Sequence, residues 1–472
     1  MNAETLLENF EVLAEAPGGI GFLKKLILVN AASGAFLQNG RHSGSANSKK
    51  TLGELCDIYQ PKTISIRELI EDGKYLVYGA NGVIGRYDKF NHEFEEVLVT
   101  CRGATCGTVN VSSPKSWING NAMVVRPKTN ELSKKFLAVI LRGVDYASVI
   151  TGTAQPQITR QPLSKISIFV PTVAEQKRIV TKVDELMALC DQLEQQQHHR
   201  NNLRTSTRKS AIGAISTATT PEELDTAWKR INYNWDVIAD TTESVSSLRS
   251  LILDLAVRGR LGNGVEQKFD AISGLPVIWK IQRLDQVCTY LHRGKGPKYS
   301  DMSRCAVVSQ KCVQWTGFDI SKARFVDEQS LNSYGEERIL RNGDILWNST
   351  GTGTVGRTAV YFDSYLFEKV VADSHVTVLR APGMNPQFLW SWTASPAVQS
   401  IITDLTSGTT NQQELNLSSI KSLLVPVPPF PEQNRIVTKV EELMALCDQL
   451  EAELKSRSEV AEKFGRSVVS AA

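Results

Sequence analysis

A 20-residue stretch occurs twice in this chain, and that duplication constrains the fold more than any other feature. Residues 175–194 read EQKRIVTKVDELMALCDQLE and residues 432–451 read EQNRIVTKVEELMALCDQLE; only Lys177/Asn434 and Asp184/Glu441 differ. Self-similarity of this quality means one structural unit written twice. Weaker echoes extend it. NFEVLAE at 9–15 parallels NWDVIAD at 234–240, and LKKLIL at 23–28 parallels LRSLIL at 248–253. Gly34 parallels Gly259, and LGELC at 52–56 parallels LDQVC at 284–288. Each half then reaches the strong repeat through a Gly-Thr segment (TGTAQPQI at 151–158, SGTTNQQEL at 407–415) and a β-branched run ending in proline.

The repeated segment reads as a helix. Thr172 lies three residues before Glu175, the spacing of a capping box, and Pro431 suits a first helical position in the second copy. Ile179, Val183, Leu186, Cys190 and Leu193 form a heptad seam, as do Ile436, Val440, Leu443, Cys447 and Leu450. Leu454, Ala461 and Phe464 continue the second seam past an interruption at Arg457. A single such seam would suit an ordinary amphipathic helix on its own domain's core. Two near-identical copies favour helices that pair antiparallel about a pseudo-twofold axis and hold two bodies at a fixed separation.

Between the helices the sequence diverges. Alternating runs at 75–90, 95–101, 122–127, 343–348 and 375–382, broken by Gly and Asn, read as strands of mixed α/β bodies. The expected fold class is α+β: two mixed α/β domains joined by long conserved helices. The expected boundaries are an N-terminal helical segment 1–47, a first body 48–172, a spacer helix 173–215, a linker and central helical segment 216–269, a second body 270–428 and a second spacer helix 429–472. The 472 residues suit about three bodies.

Bulk properties exclude little. A net charge of +3 permits nucleic-acid binding only if basic groups are segregated. The eight cysteines form no C-x-x-C, which suits incidental thiols in a reducing cytosol. No apolar run approaches the roughly 20 residues of a membrane span, and the acidic N-terminus is unlike a signal peptide. A cytoplasmic location is expected.

The apparent catalytic motifs fail on context. Gly351-Thr-Gly-Thr-Val-Gly356 is a literal G-x-G-x-x-G, but RTAVYFDSYLF follows it and reads as a strand, whereas dinucleotide binding needs a helix there. The matching stretch of the first half, Arg102–Gly107, lacks the pattern. Val427-Pro-Pro-Phe430 resembles the Asp/Asn-Pro-Pro-aromatic motif of amino-methyltransferases, yet Val427 offers no acceptor to an amine. No Walker-type, H-E-x-x-H or nuclease-like cluster occurs, and His198-His199 lies in a polar helical stretch. No catalytic, cofactor or metal residue is expected.

DNA reading needs Lys, Arg and hydroxyls for phosphates, and Arg, Asn, Gln or Ser for base edges. In the first body the candidates are Tyr78, Asn81, Arg86, Lys89, Arg102, Thr105, Lys115, Gln155 and Gln157. In the second, His292, Arg293, Lys295, Lys298 and Tyr299 form a basic, glycine-rich loop. Gln314, Trp315, Ser349, Thr350, Thr352, Arg357, Asn411 and Gln412 join it. Any one of them also reads as an ordinary exposed polar residue.

Two variable bodies, each followed by a conserved helix opening V-P-x-x-x-E-Q-x-x-I-V, resemble the specificity subunits of type I restriction-modification systems. Tyr78–Gly85 (YGANGVIG), the Arg102-Gly103 hairpin and the Gly152-Thr-x-Gln-Pro156 segment are similar to segments of that family's target-recognition domains. The second body departs, lacking Tyr-Gly-x-Asn-Gly and carrying Asn411-Gln-Gln413 in place of Gln-Pro. The resemblance implies that each domain reads one half of a bipartite, asymmetric double-stranded DNA site while the paired helices set the gap. It implies docking of two modification subunits that carry S-adenosylmethionine and methylate adenine N6. Restriction subunits using ATP and Mg would join, leaving this chain without cofactors. A stand-alone DNA-binding regulator of the same architecture, or a self-contained methyltransferase, are the other readings of the sequence.

Overall fold

The computed structural model describes residues 14–470 except 17, 37–48, 153–154, 219, 262–267, 271, 352, 364–365 and 408–413. The chain divides into two units: residues 1–201 with 456–472, and residues 202–455.

The first unit holds helix α1 (Gly19–Ser33), strands β1 (Lys49–Thr51), β2 (Cys56–Tyr59), β3 (Tyr75–Gly79), β4 (Gly82–Tyr87), β5 (Val97–Thr100), β6 (Val109–Val111), β7 (Trp117–Ile118) and β8 (Ala122–Pro127), and helix α2 (Lys134–Gly143). Strands β9 (Ile150–Thr151), β10 (Gln157–Ile158) and β11 (Ser167–Phe169) follow, and then helix α3 (Val173–Thr217) leads out of the unit. A four-stranded antiparallel sheet runs β2-β8-β5-β6. Its central strands are apolar on both faces, and the two-residue period of a strand sorts the side chains into two cores. Val97, Val99, Met123 and Val125 pack with α1 and with Phe136, Leu137 and Ile140 of α2. Leu98, Ala122 and Val124 face the other way, onto Tyr78 and Ile118 of the β4-β3-β7 sheet.

The second unit continues with helices α4 (Pro221–Tyr233) and α5 (Thr242–Val257) and strands β12 (Lys280–Arg283), β13 (Tyr290–Arg293), β14 (Cys305–Val308), β15 (Val313–Gln314), β16 (Gly317–Phe318), β17 (Arg324–Phe325), β18 (Ile345–Asn348), β19 (Thr358–Val360), β20 (Lys369–Ala372) and β21 (Val376–Arg380). Then come α6 (Pro386–Thr393), α7 (Pro396–Leu405), β22 (Thr406–Ser407), β23 (Glu414–Leu415), β24 (Leu424–Val427) and helix α8 (Phe430–Ser470). Its main sheet runs β13-β21-β18-β19, the topology of the first unit's sheet, antiparallel throughout. Residues again alternate between two cores: Ile345 and Trp347 on the α5–α6 side, Leu346 on the other. Trp347 is wholly buried and meets Trp392 of α6 edge-on at 6.5 Å. The divergent bodies are therefore one sheet design. The pairs β1–β11 and β12–β24 close each body at corresponding places.

Three devices recur in both copies. The first is the glutamine of the E-Q motif. Gln176 is buried; its amide donates to the carbonyls of Pro171 (2.9 Å) and Glu131 (2.6 Å), and its oxygen accepts from the Ser133 N–H (2.9 Å) at the start of α2. Gln433 does the same, donating to Pro428 O (2.9 Å) and accepting from Asn385 N–H (2.7 Å) at the start of α6. The second is an ion-pair clamp. Lys24 of α1 meets Asp191 (2.8 Å) and Glu194 (2.9 Å) of α3, and Arg249 of α5 meets Asp448 and Glu451 (2.7 Å) of α8. The third is the glycine after each echo helix: Gly34 (φ 81°) and Gly259 (φ 70°) are left-handed, which a side chain would strain.

Thr172 and Glu175 form the expected capping box, with Thr172 N–H to Glu175 Oε2 at 2.9 Å and Glu175 N–H to Thr172 Oγ1 at 3.4 Å. Pro431 stands at the second helical position rather than the first. The heptad seam is largely buried, and within each unit other helices take part in covering it. Ile179, Val183 and Cys190 share a core with α1 and α2, with Leu186 and Leu193 packed against it. In the second unit Ile436 and Val440 join the body's core, with Leu443 half-buried. Cys447 and Leu450 cluster with Leu248, Leu251 and Leu255 of α5 and with Ala211 and Ile215 from the last turns of α3. Within each unit the echo helix covers much of the seam, a partner that periodicity alone does not distinguish from a second copy. The matched cysteines Cys56 and Cys288 have thiols pushed up to about 12 by burial, so they stay protonated and unreactive.

Candidate nucleic-acid interface

In each unit the turn between the sheet's last two strands projects from one end. In the first it is residues 101–108, where Gly103 (φ 92°) and Gly107 (φ 91°) permit the tight return and Gly107 N–H closes on Thr100 O at 2.8 Å. In the second it is 349–357, closed by Gly356 N–H to Asn348 O at 2.9 Å. The G-x-G-x-x-G glycines thus form a hairpin turn leading into β19, as the residues after them indicated. The Gly-Thr segments dock beside these turns in both copies. Gly103 N–H donates to Pro156 O (3.0 Å) and Ile158 N–H to Cys101 O (3.0 Å), while Leu415 N–H donates to Ser349 O (2.8 Å). Two motifs about 50 to 65 residues apart in sequence become one rim.

The first unit's rim carries exposed Arg102 and Gln155 and half-buried Thr105 and Gln157, with Arg102 bridged to Gln157. Exposed Asn81 sits at the β3–β4 turn, which the Thr100 hydroxyl ties to the rim by donating to Ala80 O. The other candidates do not join them. Tyr78 is buried with its hydroxyl committed to Ser113 (2.9 Å), and Arg86 donates to Gly73 O (2.9 Å). Lys89 follows β4, roughly 20 Å from its turn at strand rise. Lys115 has a positive φ of 51°, and its N–H donates to Glu93 O (3.0 Å).

The second rim is larger. Arg293 donates to Glu414 Oε1 (2.6 Å) and Leu415 O (2.6 Å), tying the basic loop to the Gly-Thr segment. Thr350 Oγ1 and His375 Nδ1 lie 2.6 Å apart, and burial raises the pKa of nearby Asp373, whose carboxylate accepts from His375 N–H. Arg357 donates to Gln314 Oε1 (2.7 Å) and Gly353 O (2.9 Å), placing the exposed Trp315 beside the hairpin. Ser349 is buried against Thr377. Thr352, Asn411 and Gln412 lie outside the described residues.

Beyond Arg293 the loop 294–299 arches over a groove of about 520 Å³ that Lys295, Lys298, Gln329, Asn332 and Tyr334 help line. A Cβ at Gly294 would lie 2.2 Å from the Ala372 and Asp373 carbonyl oxygens, so the arch requires glycine there. Lys295 Nζ lies 5.1 Å over the Tyr334 ring, and the Arg324 guanidinium lies 3.6 Å over Tyr299. His292, Lys298 and Tyr299 are exposed. Gln329, Asn332 and Arg324 were not singled out in the sequence, because nothing local marks residues that fold back beneath a distant loop. Among the described residues no cluster of metal-binding side chains occurs, and no helix is long and apolar enough to cross a membrane.

A family model described as the type I restriction modification DNA specificity domain matches residues 45–200 and 276–459. The chain belongs to this family. It is 24% identical over 385 residues to the type I restriction enzyme EcoEI specificity subunit of Escherichia coli, covering 71% of this chain and 64% of the relative. To the EcoAI specificity subunit of the same species it is 23% identical over 381 residues, covering 71% of this chain and 63% of the relative. The chain thus spans somewhat under two thirds of either relative's length. A solved chain described under complex assembly and conformational transition of the type I R-M system covers 90% of this specificity-family chain and 97% of its own length, at 15% identity and a TM-score of 0.52. That likeness concerns the fold.

Proposed function

We propose that this chain is the non-catalytic DNA-reading subunit of a type I restriction-modification complex. Its recognition domains, 48–172 and 270–428, each read one half of a bipartite, asymmetric site in double-stranded DNA. Helices α3 and α8 run antiparallel to set the gap and dock two modification subunits. The chemistry lies in partners: S-adenosylmethionine and adenine N6 methylation in the modification subunits, ATP and Mg in the restriction subunits. The assembly works in the cytosol. One observation carries this reading. Both units keep the same sheet, hairpin rim and glutamine staple, while the side chains on the two rims differ, as a reader of two unlike half-sites requires. The phosphate-facing groups are the exposed lysines and arginines of the rims, and the base-facing ones are Asn81, Gln155, Gln157 and the polar lining of the second groove.

Methylome sequencing of cells carrying this chain with its modification subunit tests the proposal. A two-part motif with a fixed gap is expected, and the purified chain alone transfers no methyl group. Methyl transfer from S-adenosylmethionine by the isolated chain, or a single continuous motif, would refute it.

A further inference from the structure

We infer that the echo helices α1 and α5 are struts that fix the orientation of each recognition domain, with Lys24 and Arg249 as the positioning residues. The inference rests on the gap-setting role proposed above for α3 and α8. Each echo helix touches three things at once within its own unit. Toward the body, α1 lies so close to α2 that a Cβ on Gly143 would stand 2.2 Å from Leu28 O. Along α3, Lys24 bridges Asp191 and Glu194, one turn apart. Toward the far end of α8, the Phe22 ring lies where a Cβ on Gly465 would be only 2.6 Å from it. In the second unit α5 shares a core with Phe388, Leu389 and Trp392 of α6. It also clusters with Ala211 and Ile215 of α3 and Cys447 of α8, and Arg249 bridges Asp448 and Glu451.

Hydrophobic burial would hold such a helix in place but is tolerant of rotation and sliding, being non-directional. The cation gripping two carboxylates on successive turns supplies direction. The two halves keep this grip although the residue changes from Lys to Arg and the bodies diverge. A structural role alone would be served by any apolar contact. A cation opposite the same carboxylate pair in both copies fits a device that sets angle.

The test uses the full chain with its modification subunits in cells, read by methylome sequencing. Lys24→Glu places like charges together, and a shift of about fivefold in selectivity is expected for losing a surface clamp. Methylation should spread to sites whose gap is one base pair longer or shorter, with both half-site sequences unchanged. Lys24→Glu combined with Asp191→Lys and Glu194→Lys should restore the native gap. An unchanged gap preference in Lys24→Glu, or failure of the triple variant to restore it, overturns the inference. Should Lys24→Glu abolish methylation, Lys24→Gln makes the same decision with no repulsion. Hydrogen exchange of α1 amides in the intact chain gives an independent reading: faster in Lys24→Glu and restored by the charge swap, or the clamp is refuted. A wild-type chain with no two-part motif would sink the proposed function and leave that exchange measurement to judge the strut.

Discussion

Replacing Gln433 by leucine tests whether the repeated helix motif is a staple between α8 and the second body. Leucine keeps nearly the same volume, so the cavity contribution is small. What disappears is a pair of hydrogen bonds in a site that is 1% exposed: Pro428 O loses its donor and Asn385 N–H loses its acceptor. Each buried polar group left unsatisfied costs about 1–3 kcal/mol, so about 2–6 kcal/mol is expected for the pair. For a unit of this size, 1 kcal/mol moves the melting temperature by about 2–4 °C, giving a drop of roughly 4–24 °C. The assay is thermal unfolding followed by tryptophan fluorescence. Seven of the eight tryptophans lie in the second unit, and Trp390 and Trp392 sit on the helix whose start Gln433 holds. Lys439→Met, which removes only the exposed pair to Glu442 (2.9 Å), serves as control and should cost at most about 1 kcal/mol. A Gln433→Leu unit as stable as the control would show that the staple is incidental and that the motif is kept for another reason.

Gly294→Ala should collapse the basic arch against the Ala372 and Asp373 carbonyls, weakening reading of one half-site in methylome data while the other stays intact. Loss at both halves would show that the loop matters to the whole molecule. Lys298→Ala should weaken DNA binding evenly across sequences and flatten the slope of log K against log salt by about 0.9, the signature of one lost phosphate contact; an unchanged slope removes Lys298 from the interface. In the first unit, burial lowers the pKa of His92, whose ring lies 2.9 Å from the Tyr59 hydroxyl, so the folded chain holds it neutral. Falling pH then protonates the unfolded chain first: the contribution is whole above about 6.5 and is lost as pH drops through the depressed folded value. Melting of wild type and His92→Gln at pH 7.5 and 5.5 should show the smaller acid loss in the variant; equal losses refute the assignment.

The sequence exposes the frame because the frame uses local signals. The Thr172/Glu175 cap, the glycines ending both echo helices, and the apolar runs that became β5, β8, β18 and β21 are all decided within a few residues. The literal G-x-G-x-x-G leads into a strand, as its β-branched and aromatic neighbours favour. Side-chain commitments are another matter. Arg293 reads as a free cation in a basic loop, yet its partners Glu414 and Leu415 lie 121 and 122 residues away. Tyr78 and Ser349 read as surface polar groups and are buried, because strand period decides their direction and the second layer of each body is invisible locally. The heptad seam names a helix that is covered without naming its cover, and α1 and α5 carry too little pattern of their own to announce that role.

The spacing of the clamps bears on how the bodies can diverge. Lys24 and Glu194 are 170 residues apart, whereas Arg249 and Glu451 are 202 residues apart, and both close the same two-carboxylate grip. The additional length of the second half is absorbed in its body and in the connections around it, where β14, β17 and β20 form a sheet of their own. Insertions there cost little, since loop closure grows only slowly with length and the tethers lie elsewhere. Three tethers hold each body: the edge strand pair, the buried glutamine and the echo helix. Any body that reaches all three is seated alike on the helices, whatever its rim carries. Selection can therefore alter the hairpin loops freely while the seat of each body within its own unit stays fixed. A change at Gln176, Gln433, Lys24 or Arg249 would instead disturb how a body is held, without a direct change to the residues of its rim.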